Sequence, residues 1–139
     1  MSRRPPSRLR ATRYTKHAKP PSRVPEGVPA KVLRQIEHAS RTGACPSVRE
    51  MGTALYVLGW FLGQQGRTLA LDPDTTCPCH DPRDALDTLH MISRALPSPA
   101  RRQVEAVMSP LVEQFRERTL PDPLATEDQP WWWRRITER

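Results

Sequence analysis

"SVREMGTALYVLGWFLGQQG", Ser47 to Gly66, decides how this chain folds. Ser47 followed by Glu50 is a capping-box pattern: the serine accepts from the amide three residues on, and the glutamate reaches back to the serine amide. Met51, Leu55, Leu58 and Leu62 then recur at helical spacing as one apolar stripe. Gly52, Tyr56, Gly59, Gly63 and Gly66 make a second, nearly bare face. Each interior glycine costs roughly 0.5–1 kcal/mol relative to alanine, so something should approach this backbone closely. A tightly packed neighbouring helix is the first expectation; a protein partner or a second copy on Gly52, Gly59 and Gly63 is the other. The apolar stretch from Met51 to Gly63 is 13 residues, too short for a membrane span. A helix this greasy belongs at the centre of a bundle.

Three further helix signals flank it. Pro29 to Thr42 carries Val32, Leu33, Ile36 and Ala39 on one stripe, with Gly43 placed to stop it. Asp81-Pro82 is an N-cap followed by proline at the first helical position, ahead of Leu86, Leu89, Ile92 and Leu96. Ser98-Pro99 opens a fourth helix with Val104, Val107, Met108, Leu111 and Phe115 inward, and Ser109-Pro110 should kink or restart it. No segment alternates with period two. The expected fold is all-α: a small bundle of about four helices over residues 29–120, preceded by a disordered basic arm (1–28) and followed by an extended Pro/Trp tail (121–139) packed on it.

Charge is segregated. Residues 1–24 hold eight cations (Arg3, Arg4, Arg8, Arg10, Arg13, Lys16, Lys19 and Arg23) and no acid, so the net +7 of the 139-residue chain belongs to the arm while the body is nearly neutral. Such an arm suits nucleic acid or an acidic protein, since flexible cations neutralise phosphates and release counterions without reading sequence. Arg101, Arg102 and Gln103, in the first turn of the fourth helix, are a second nucleic-acid candidate. Cations there oppose the helix dipole, and Arg and Gln are residue types that read guanine and adenine edges. The helices joined through Leu96-Pro97-Ser98 could form a helix-turn-helix, although an ordinary helical hairpin uses the same connection.

The arm has no apolar run and so no secretory signal, and three cysteines without an export signal suit a reducing cytoplasm. "CPCH", Cys77 to His80, with Cys45 from another loop, could complete a Cys3His zinc site from Cys45, Cys77, Cys79 and His80. The single proline between the cysteines departs from zinc-knuckle spacing, and ordinary loop thiols are the competing reading; zinc is the one cofactor these residues suggest. Arg83, Asp87, His90 and Arg94 lie opposite the apolar stripe of the third helix and read as a solvated charged face. No glycine-rich phosphate loop or Ser/His/Asp grouping is present, and nothing asks for an enzyme.

"PWWWRR", Pro130 to Arg135, holds three of the four tryptophans. Each indole buries on the order of 150–250 Å², worth several kcal/mol at ~25 cal/mol per Å². In an extended segment Trp131 and Trp133 would dock while Trp132 faces out, and Trp132, Arg134 and Arg135 would anchor a partner. The expected function is that of a small, non-enzymatic binding or regulatory protein, its bundle docking a macromolecule and its arm touching nucleic acid. The alternative is a structural or catalytic zinc module.

Overall fold

The computed structural model of the chain describes residues 24–64 and 81–136. Within them four helices form an all-α bundle: α1 (Ala30–Arg41), α2 (Val48–Leu62), α3 (Pro82–Ala95) and α4 (Ser98–Glu117). Two two-residue strands, β1 (Leu120–Pro121) and β2 (Arg135–Ile136), pair antiparallel with Leu120 opposite Ile136, and a 3-10 helix (Trp131–Arg134) precedes β2. None of these helices is long and apolar enough to cross a membrane.

Local chemistry sets the helix ends. At α2 the capping box is complete: Ser47 Oγ accepts from the Glu50 amide at 3.2 Å and Glu50 Oε2 accepts from the Ser47 amide at 2.7 Å. Glu37 on α1 accepts from the Val48 amide at 2.9 Å, satisfying another of the orphan donors at that terminus. After α1, Gly43 takes φ +79° while the Ala44 amide reaches Ala39 O and the Gly43 amide reaches Ser40 O, a Schellman closure. Asp81 caps α3 by accepting from the Arg83 amide at 2.8 Å, and the Arg83 guanidinium bridges back to the same carboxylate.

Two boundaries differ from expectation. The second helix ends at Leu62 instead of near Gly66, and Arg118 Nη1 donates to Leu62 O at 2.6 Å, satisfying one of the carbonyls open at that end. The fourth helix runs unbroken through Pro110. Pro110 and Ala106 both lie on its exposed side, so the carbonyl left without an amide partner is open to solvent and no restart is forced. Packing also begins upstream of Pro29: Pro25 and Val28 are buried, and a turn at Gly27 (φ +79°) brings the backbone to within 3.5 Å of Val107, measured from where a β-carbon would sit.

α2 is the centre, lying along α3 and touching α1 and α4. Met51, Leu58 and Phe61 from α2 meet Ile36, Leu89, Ile92, Val104 and Phe115 in a single apolar cluster; the Phe61 and Phe115 rings sit 5.8 Å apart. The glycine face behaves differently from the packing expectation. Gly52 is buried, but Gly59 and Gly63 are exposed; a β-carbon at Gly59 would meet nothing within 4 Å, and one at Gly63 would meet only carbonyls of its own helix. Among the described residues no neighbouring helix covers the glycine face at that end of α2. Trp60, 48% exposed, shares it.

Candidate docking surfaces

The tryptophan tail is built on a turn, which reverses the expected split. The Trp133 amide donates to Pro130 O at 3.0 Å, closing a 3-10 turn. Three residues per turn fan the indoles apart instead of alternating them. Trp132, expected to face out, is the buried one at 8% exposure, while Trp131 and Trp133 are half-buried. Trp131 meets the Phe115 ring edge-on, with the Arg116 guanidinium 4.5 Å from its centroid. Trp132 crosses to α3, packs tilted against His90 with ring centroids 5.1 Å apart and donates from Nε1 to Asp87 Oδ1 at 2.7 Å. Trp133 donates to both Asp87 oxygens at 3.0 and 2.9 Å and lies under Arg83 at 4.6 Å.

The face of α3 read as solvated is therefore partly covered, at Arg83 and Asp87, while His90 stays exposed beside Trp132. Asp87 is the acceptor around which two indoles are arranged. Three carboxylates, Asp81, Asp84 and Asp87, follow one another along this helix, and the pKa of Asp84 is raised by partial burial, then by the neighbouring charges of Asp81 and Asp87. Arg135 serves the fold: its Nε donates to Thr119 Oγ1 at 3.0 Å, and its Nη2 donates to Arg116 O at 2.6 Å and to Thr119 O, closing the end of α4. Burial and the nearby Arg116 lower the pKa of that guanidinium. The Arg134 carbonyl accepts from the Asp122 amide at 2.8 Å, and its buried Nε has no partner among the described residues. Trp132 and Arg135 are thus spent on internal contacts and are not the exposed anchor expected of them.

Arg101 is likewise internal. Its Nε donates to Ser93 O at 3.0 Å and its Nη2 to Leu96 O at 3.2 Å, so it closes the C-terminus of α3 across the hairpin. The backbone placement of α3 and α4 suits a hairpin stapled by that guanidinium and by Ser93 Oγ donating to Glu105 at 3.2 Å. Arg102 and Gln103 are exposed. Arg3, Arg4, Arg8, Arg10, Arg13, Lys16 and Lys19 lie outside the described residues, as do Cys77, Cys79 and His80. Cys45 is buried, its Sγ directed at Ile36 O at 3.9 Å; burial, then Glu37 and Glu50, raise its pKa and hold it as a thiol. Among the described residues no three His, Cys, Asp or Glu side chains gather to hold a metal ion.

A different surface stands open. Where α1 meets the start of α2, a groove of about 710 Å³ has Val24, Leu33 and Val48 as its apolar lining, with Arg34, Arg41 and Arg49 around it. Arg34, Glu37, His38 and Arg41 follow one face of α1, opposite the buried Val32 and Ile36. Glu37 is engaged in capping α2, whereas no ion pair or hydrogen bond ties the Arg34, Arg41 or Arg49 side chains to another described residue. The sequence reading did not single out this groove; the spacing of Arg34 and Arg41, seven residues apart on the polar side of an amphipathic helix, was its only signal. Comparison with family models, curated proteins and solved structures gives no match to this chain.

Proposed function

We propose that this chain is a small, non-enzymatic binding protein whose bundle docks an acidic segment of a protein along the α1–α2 groove while its cationic N-terminal arm contacts nucleic acid. The groove carries the reading. Arg83, Arg101, Arg116, Arg118 and Arg135 are all tied to carbonyls, carboxylates or indoles within the fold. Arg34, Arg41 and Arg49 instead surround an apolar lining with no partner among the described residues. Unpaired guanidiniums around greasy surface suit an acidic peptide with an apolar side chain better than bare phosphate, which has nothing to place on Val24, Leu33 and Val48. Val24 both lines the groove and is joined in sequence to the segment with eight cations and no acid, whose charge adds long-range attraction for an acidic partner.

Titration of a fluorescent leucine-containing acidic peptide into the full chain tests the groove. We expect saturable, salt-sensitive binding that Arg34→Glu/Arg41→Glu removes without shifting the melting temperature; equal binding by that variant overturns the groove assignment. For the arm, deletion of residues 1–23 should abolish most salt-dependent binding to single- or double-stranded nucleic acid. Undiminished binding by the shortened chain would move the nucleic-acid contact onto Arg102 and Gln103.

A further inference from the structure

We infer that the acidic segment fitting the α1–α2 groove is present in the chain itself: the loop around Leu124, presented by a second copy. This rests on the groove reading above and names its occupant. Leu124 is 90% exposed, the most exposed of the large apolar side chains described. It sits in a stretch from Leu120 to Trp133 that contains Asp122, Glu127 and Asp128 and no cation. Glu127 and Asp128 are themselves exposed, so an apolar tip and two carboxylates are offered together. The groove offers the complement, an apolar lining among three arginines that have no partner among the described residues.

The loop is held ready. Asp122 Oδ1 accepts from the Leu124 amide at 2.9 Å, the Ala125 amide reaches Asp122 O at 3.2 Å, and the base is pinned by the Asp122 amide on Arg134 O and by the β1–β2 pairing. A tip fixed before contact gives up little conformational freedom on docking. The same pinning keeps the loop out of its own molecule's groove, none of whose lining residues comes from it. Residues 1–24 are a poor occupant, because their eight cations and no acids would face Arg34, Arg41 and Arg49. Donor and acceptor are different surfaces, so one copy's loop meets another copy's groove. Two copies either exchange loops reciprocally and close as a dimer, or add successively into a chain.

The test uses the full-length protein in sedimentation velocity over a concentration and salt series. We expect the parent to assemble, with assembly favoured at low salt. Arg34→Glu/Arg41→Glu (groove reversed, loop intact) and Glu127→Arg/Asp128→Arg (loop reversed, groove intact) should each weaken association on the order of tenfold or more. An equimolar mixture of the two variants should associate again, since the intact loop of one meets the intact groove of the other and the reversed loop and reversed groove also carry opposite charges. A parent that stays monomeric throughout the series, a variant that assembles like the parent, or a mixture that remains monomeric overturns the inference. If the parent is monomeric yet binds the fluorescent acidic peptide through Arg34 and Arg41, the groove stands and only the second copy is excluded as its occupant. If it binds neither, the groove reading falls as well.

Discussion

Asp87 on α3 and Arg34 on α1 begin alike, each a charged residue on the polar face of an amphipathic helix. They end differently. Asp87 receives hydrogen bonds from Trp132 and Trp133 and lies beneath them, whereas Arg34 lines an open groove with no partner among the described residues. A carboxylate can gather indole N–H donors while the indole bodies bury apolar area, so one anionic residue organises a large apolar closure. Guanidiniums beside apolar surface do the opposite: without an acceptor from outside they remain hydrated, and the apolar lining stays open.

The strongest way to break the contrast is to remove the closure. Truncation after Gln129 deletes all three indoles and the Arg135 contacts that end α4. We expect a loss of several kcal/mol, a large share of the roughly 5–15 kcal/mol that holds a small domain, read as a lowered or non-cooperative melt. A truncated chain melting like the parent would show the clasp to be ornamental. Trp132→Ala alone should cost about 3–5 kcal/mol, as for other buried aromatics, and Trp131 and Trp133 should then become more accessible to a soluble fluorescence quencher.

The matched pair is next in size. Asp87→Ala strands two indole donors, at about 1–3 kcal/mol for each, while Arg34→Ala should stay within about 0.5 kcal/mol because nothing in the fold depends on it. Equal costs in chemical denaturation would erase the distinction between the two faces. Gly59→Ala gives a smaller effect of opposite sign. With open space where the new methyl goes, it should stabilise by roughly 0.5–1 kcal/mol through helix propensity, and a destabilised variant would mean that something does approach that face.

The smallest effect is a pH dependence at Asp84. Its folded pKa is raised, by partial burial first and then by Asp81 and Asp87. The fold therefore favours its neutral form: that contribution is fully present below the ordinary carboxylate value of about 3.9 and is lost as pH rises through the folded value. At neutral pH the ionised group is a small burden. Asp84→Asn should raise the melting temperature there, and the difference should shrink on acidification; a constant difference across the range would rule out the titration as its cause.

What the sequence made legible was whatever the chain settles locally. The capping box at Ser47 and Glu50, the proline-led cap at Asp81 and the stop at Gly43 all act within a few residues, and each forms as the residue types require. The all-α class followed from them. The tryptophan arrangement was half legible: burial of large aromatics was expected, but which indole goes in depends on the turn that Pro130 starts and on an acceptor 45 residues earlier. Asp87 looked solvated for the same reason, since its partners leave no trace near it in sequence. Arg101 did carry a signal. A cation in the first turn of α4 is unfavourable to the helix dipole, and the carbonyls ending α3, just across the turn, are what offset it. Gly59 misled because an exposed helix glycine has no packing rationale to infer.

The separation between Asp87 and its indoles also sets a sequence of events. The α3–α4 hairpin is joined by contacts 5 to 12 residues apart, whereas the clasp joins residues 45 and 46 apart and Arg118 meets Leu62 across 56. Loop-closure entropy rises with the logarithm of that distance, so the hairpin can form early and the clasp has to wait for it. Opening reverses the order. Amide exchange should therefore be fastest at Asp122 and Trp133, whose hydrogen bonds hold the clasp base, and slowest in the buried turns of α2 and α3, with the molecule loosening from the tryptophans inward before the bundle itself comes apart.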